Sequence, residues 1–286
     1  MKKSIVRVAL VAGAALAALT PAIANHSWGT YHWAGDGRNL TLKINVATTS
    51  QWNASINDAI SDWNESKEIT LTGPTAVAAS AKKCSPIVGQ ILVCNEAYGR
   101  RGWLGIASIW ITSDGHIGQG TTKLNDSYFD LTFYNTPGWR ALVACQEIAH
   151  DFGLDHQDEA FSNANLGSCM DYTNAPDGGV VNGFDYGPDN RHPNAHDYEQ
   201  IKAIYNHDDG YTTATASTNF GIRQVGKAAP QPLSSEGSGD SPSEWGRAIH
   251  KDGAGRPDVY LKDLGGGRKV ITHVFWAIGE GPGGLQ

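Results

Sequence analysis

Side chains that bind metals and move protons recur at helical spacing in the run Cys145-Gln146-Glu147-Ile148-Ala149-His150-Asp151-Phe152-Gly153-Leu154-Asp155-His156. Gln146 and His150 are four apart, so on an α-helix they share one face and can point at one metal ion. Glu147 sits beside that ion. Its carboxylate is placed to take a proton from a water whose pKa a zinc ion lowers to about 7. Gly153 reads as the helix stop, because glycine adopts the left-handed conformation that turns the chain sharply and brings His156 back. The expected site therefore has Gln146, His150 and His156 around Zn2+, with Glu147 as the catalytic base. Cys145 as a nucleophile beside His150 is the weaker reading, since a helix-borne thiol next to Glu147 lacks the electropositive surroundings that lower its pKa.

The run resembles the metzincin zinc-endopeptidase signature H-E-x-x-H-x-x-G-x-x-H at every defining position except the first, where Gln146 stands. Ser168-Cys169-Met170-Asp171-Tyr172 is similar to the S-x-M-x-Y Met-turn of the same clan. The resemblance spans roughly Tyr31 to Asn206 and implies a secreted zinc endopeptidase, similar to matrixins, that acts on protein or peptide substrates. It implies an α/β (α+β) fold with a mixed twisted sheet and active-site helix on one side of the metal and the Met-turn on the other. Met170 would pack beneath the ion, and Tyr172 would reach the metal or stabilise the oxyanion as a second catalytic residue. An edge strand, from 106–112 or 128–133, would pair with extended substrate. Matrixins carry structural zinc and calcium near the position of His116, so His116 and Asp114 are candidates for a second metal. His32, His192 and His207 show no paired spacing, and nothing resembles an EF-hand loop.

Gln146 is the departure from the pattern. A neutral amide oxygen is a far poorer donor to zinc than an imidazole nitrogen. Asp158, just past His156, is the alternative oxygen ligand. The same substitution supports a rival function, a metzincin fold that has lost its chemistry and serves as a secreted binding or inhibitory protein. Glu147 argues for catalysis, because a scaffold without a metal gains little from a carboxylate on that face.

The elements that must position this site are legible in part. Residues 1–24 place Lys2, Lys3 and Arg7 ahead of an apolar run from Val8 to Leu19 and then Ala22-Ile23-Ala24, the pattern of a secretory signal peptide. The mature domain is expected to start directly after it, with no cysteine-switch propeptide. Losing those three basic residues takes the formal net charge from −7 to −10, so neither nucleic acid nor anionic lipid would be attracted. No later segment approaches the ~20 apolar residues of a membrane span. A monomer is expected. An exported chain with four cysteines reads as two disulfides. Cys84 and Cys94 flank a short loop and form the local pair, and Cys145 with Cys169 would tie the active-site helix to the Met-turn.

The catalytic domain is expected over 25–210. Residues 40–46 alternate as a half-buried strand, 52–66 carry a helical stripe at Trp52, Ile56, Ala59, Ile60 and Trp63, and 102–112 read as an inner strand. Residues 139–152 form the active-site helix, and a last helix starts at Asn194 or His196 and runs to Asn206. Residues 211–243 are a Ser/Thr/Pro/Gly-rich linker by composition. In 244–286, Val259-Tyr260-Leu261 and 270–276 predict two strands joined through Gly265-Gly266-Gly267, a small β-hairpin module. A lone hairpin is marginal in water, so it docks on the catalytic domain or is partly disordered.

Overall fold

A computed structural model describes residues 26–215 and 233–282; the leader read at 1–24 and residues 216–232 of the linker lie outside the described residues. The elements follow in the order β1 (Leu40–Ala47), α1 (Asn53–Trp63), β2 (Ile69–Ala76), β3 (Ile91–Glu96), β4 (Trp103–Ile111), β5 (Ile117–Asn125) and the short α2 (Asp126–Phe129). Then come α3 (Pro137–His150), a two-residue hairpin of β6 (Val180–Val181) and β7 (Phe184–Asp185), α4 (Ala195–Tyr205) and one turn of helix, α5 (Pro242–Trp245). The chain closes on β8 (Arg247–Lys251), β9 (Pro257–Gly265) and β10 (Arg268–Trp276). This is the mixed α/β fold expected, with one large mixed sheet, few helices and small C-terminal strands.

The sheet has eight strands in the order β2-β1-β3-β5-β4-β10-β9-β8. Its first half is parallel, and from β5 onward every pairing is antiparallel. In β1 the alternation holds, with Leu40, Leu42 and Ile44 buried. The stripe of α1 is also buried, from Ile56 through Ala59 and Ile60 to Trp63, and the helix packs against α3 and β2. Trp63 then reaches α3, donating from Nε1 to the Cys145 carbonyl at 3.3 Å. All nine residues of β4 are buried, as the inner-strand reading requires.

The C-terminal hairpin joins the same sheet. β10 runs antiparallel along the whole of β4, from Lys269 opposite Ile111 to Trp276 opposite Trp103. Val270, Ile271, Val274, Phe275 and Trp276 are buried by that pairing. At about 1.5–3 kcal/mol for each such side chain removed from water, docking wins over disorder. The strand expected to present a free edge to substrate therefore has none: β4 is flanked by β5 and β10, and the sheet's outer strands are β2 and β8. The alternative edge, 128–133, is no strand, because Tyr128 and Phe129 close α2 and a turn follows. No helix among the described residues is long and apolar enough to cross a membrane.

Candidate metal centre

α3 carries the predicted motif. It starts where the Thr136 side chain accepts the Trp139 N–H at 3.2 Å and Pro137 takes the first turn, where a missing N–H leaves no bond unmade. It ends before Gly153, whose φ of +100° suits glycine; a Cβ there would stand 2.7 Å from the Tyr31 carbonyl oxygen. The reversal brings His156 back to the helix. Its Nε2 lies 3.0 Å from Nε2 of His150, and the two rings meet edge to face.

The far side of each ring fixes its tautomer. His150 donates from Nδ1 to the Leu154 carbonyl at 2.8 Å, and His156 Nδ1 lies 3.4 Å from Glu159 Oε1. Both Nε2 atoms are thereby left with lone pairs facing one another, an arrangement that needs a cation or a proton between them. Burial, together with the neighbouring His156, pushes the His150 pKa well down. His156 is also disfavoured as a cation by burial, but Glu159, Asp155 and Asp258 outweigh that and raise it.

A third imidazole closes on this pair. His273, on β10, has its ring centroid 4.0 Å from that of His150 and 5.2 Å from that of His156. Nitrogens of all three rings lie within 4.8 Å of one another, and all three residues are buried. Neither nitrogen of His273 has a hydrogen-bond partner, and burial pushes its pKa well down.

Glu147 is fully buried, and neither of its carboxylate oxygens has a hydrogen-bond partner. β4 passes so close that a Cβ on Gly105 would stand 2.6 Å from Glu147 Oε1, so this strand position requires glycine. Burial, and then the nearby Asp151, push the Glu147 pKa well up. Gln146 is buried too. It donates from Nε2 to the Cys169 carbonyl at 2.8 Å, and its Oε1 has no partner. Five orphaned polar atoms on Gln146, Glu147 and His273, beside two opposed lone pairs, are the donor chemistry that suits zinc. These residues fit the ion.

The remaining predicted residues fall as follows. Tyr172 is buried with its ring centroid 4.2 Å from that of His156, stacked on Phe161 at 4.6 Å. Burial and the surrounding carboxylates hold its hydroxyl well above the ordinary pKa. Met170 is buried in the core. Asp158 is engaged in its own turn, accepting the Ala160 N–H at 2.6 Å, while its carbonyl accepts from Tyr172 N at 3.0 Å. Both disulfides are present as expected, Cys84–Cys94 and Cys145–Cys169.

His116 meets Asp209 rather than standing with Asp114 alone, its Nε2 lying 3.3 Å from Asp209 Oδ1. His32 and His207 join there, with Nε2 atoms 2.9 Å apart, and His32, His207 and Asp209 form a second group able to hold a metal. Sequence spacing hid it, because His32 and His207 belong to opposite ends of the domain. His273 was hidden for the same reason. Its one signal is that it is the sole ionisable side chain in the apolar run 270–276.

No family model and no curated protein matches the chain. Among solved structures it is similar to high choriolytic enzyme 1, a hatching-enzyme zinc protease from the medaka fish Oryzias latipes. That match has a TM-score of 0.34 and 13% identity, covering 62% of this chain and 95% of that one. It is also similar to myroilysin, with a TM-score of 0.33 and 12% identity, over 64% of this chain and 98% of that one. Likenesses this weak carry no argument about chemistry, which rests on the residues of the site.

Proposed function

We propose that the chain is a secreted zinc-dependent endopeptidase acting on protein or peptide substrates. The observation that carries this reading is Glu147: a fully buried carboxylate, unpartnered at both oxygens, on the helix that also presents His150 to His156. A carboxylate in that setting is costly unless a cation and a proton-transfer task accompany it. His150 and His156 would hold the ion, and Gln146, one turn before His150, offers its free Oε1. Zinc, when bound, would polarise the scissile carbonyl and make a neighbouring water more acidic.

The other steps fall to the chain's own groups. Glu147 accepts the proton of the attacking water and passes it to the leaving amine, and its burial raises its basicity toward the range in which general bases work. Tyr172, whose ring lies against His156, would stabilise the oxyanion. Export accords with the two disulfides and the leader-like 1–24.

A second reading, a binding or inhibitory protein on this fold, is favoured by one observation: β10 occupies the side of β4 on which extended substrate was expected. One experiment separates them. Purified protein, refolded with zinc, is assayed for bound metal and for hydrolysis of a casein-type substrate, beside Glu147→Ala. The peptidase reading expects zinc in both proteins and a loss of about 10²- to 10⁴-fold in hydrolysis for the variant. A parent without zinc, or one that Glu147→Ala matches in turnover, overturns it.

A further inference from the structure

We propose that His273, delivered by the C-terminal strand β10, is the third imidazole ligand of the metal, in the place that Gln146 fills poorly. The proposal rests on the reading that His150 and His156 hold zinc.

Geometry comes first. β10 is nine residues long and paired on both sides, so His273 is held by ladder bonds to β4 and β9, opposite Ala107 and Val259. Its neighbours in the strand, Ile271 and Phe275, belong to the main core with Phe152, Tyr172 and Leu154. By the alternation of a strand, His273 shares their face and so looks toward α3. A histidine there displaces an apolar side chain from a core position. Burying an imidazole with neither nitrogen hydrogen-bonded carries a desolvation cost that no protein contact offsets. Two lone pairs, on His150 and His156, already face each other within reach of that ring. One divalent cation at their meeting point would take one nitrogen lone pair from each of the three rings.

The donor set is the second line of argument. Two imidazoles and an amide oxygen make a weak site for a borderline-soft cation, whereas three imidazoles are a set that zinc enzymes use. The Gln146 amide is already tied at Nε2 to the Cys169 carbonyl, which leaves it at most one neutral oxygen to give. His273 adds the missing nitrogen. One outer partner follows the same logic, since Glu159 approaches His156 at Nδ1. The site would then be assembled from the helix, the turn after it and a strand more than a hundred residues further along, so that β8–β10 belong to the metal centre rather than hanging from it.

The test uses the full chain carrying His207→Ala and His250→Ala, which dismantle the two other metal-capable groups among the described residues that share no residue with His150, His156 and His273. In that background, zinc affinity is measured by competition with a chromophoric chelator, and Co2+ absorption reports the ligand field. Three further variants are compared: His150→Ala, His273→Ala and His273→Phe, the last keeping a ring in the core if the alanine protein fails to fold. Zinc affinity should fall at least a hundredfold in each, the Co2+ spectrum should change in both His273 variants, and free imidazole should restore part of the affinity of His273→Ala. Unchanged affinity and an unchanged Co2+ spectrum in folded His273→Phe, with zinc lost in His150→Ala, would overturn the role of His273 and leave the peptidase reading standing. Zinc retained by His150→Ala, or absent from the parent, would overturn both.

Discussion

His150 and His156 point their Nε2 atoms at one another across 3.0 Å, while each turns its Nδ1 to an oxygen of the fold. The backbone carbonyl behind His150 cannot be removed by substitution, but the Glu159 carboxylate behind His156 can. Glu159→Gln keeps the size of the side chain and removes the charge that makes His156 a stronger donor. Zinc affinity should drop about 10- to 100-fold in chelator competition, with thermal stability of the metal-free protein nearly unchanged. Equal affinity would assign Glu159 to His250, whose Nδ1 is 3.7 Å away, instead of to the metal site.

Gln146 gives a graded prediction. Its Nε2–H bonds the Cys169 carbonyl and its Oε1 has no partner, so replacing it removes one oxygen donor and one structural bond. Gln146→Ala should weaken zinc binding less than His273→Ala does, and Gln146→His should strengthen it, since imidazole nitrogen is the better donor. Isothermal titration of the three proteins ranks them. A Gln146→Ala protein that loses more affinity than His273→Ala would make the amide oxygen a principal ligand.

What could be read from the sequence follows contact distance along the chain. The helix that bears Gln146, Glu147 and His150, its stop at Gly153 and the return of His156 are set by residues within a dozen positions, and local rules reach that far. The C-terminal hairpin was visible as two strands around Gly265-Gly266-Gly267, because turn chemistry and alternation are also local. Its docking site was not. Which edge β10 joins is decided by the apolar surface of β4, more than 150 residues earlier, and periodicity carries no trace of that pairing. His273 and the group of His32, His207 and Asp209 are products of such long-range pairings, so their spacings look random. Gln146 is the local irregularity for which β10 offers a distant counterpart.

The two disulfides should differ in what they contribute. Cys145–Cys169 spans a separation of 24 residues and Cys84–Cys94 one of 10. Loop-closure entropy predicts about 3 kcal/mol for a link of this size, with the longer loop ahead by under ~1 kcal/mol. Cys145 and Cys169 also frame the site, since the Cys145 carbonyl accepts from Trp63 and the Cys169 carbonyl from Gln146. Paired Cys→Ala substitution at 145 and 169 should therefore lower both the denaturation midpoint and the zinc affinity. The same change at 84 and 94 should lower the midpoint alone. Equal loss of zinc in both double variants would show that general loosening, and not the tie between α3 and the turn at Met170, governs the metal site.

Asp171 supplies a pH dependence separable from the metal. Its Oδ2 accepts from Leu166 N at 2.8 Å and Asn190 Nδ2 at 2.7 Å, while its Oδ1 is buried with no hydrogen-bond partner. Burial, helped by the charges of Asp158 and Asp197, outweighs those two bonds and raises the pKa from 3.8 to about 6. The folded state thus holds its proton more tightly than the unfolded one. The resulting stability is fully present below about pH 4 and is lost as pH rises through 6. Two pKa units correspond to about 3 kcal/mol. Asp171→Asn can keep both accepted bonds through its carbonyl but places an amide where Oδ1 was, a cost that does not vary with pH. The slope, rather than the absolute stability, is therefore the observable. Urea midpoints of parent and variant, measured from pH 4 to 8, should converge or cross, with Asp171→Asn gaining on the parent as pH rises. Parallel curves across that range would mean that Asp171 titrates at an ordinary carboxylate pKa and that its hydrogen bonds, not its burial, decide its charge.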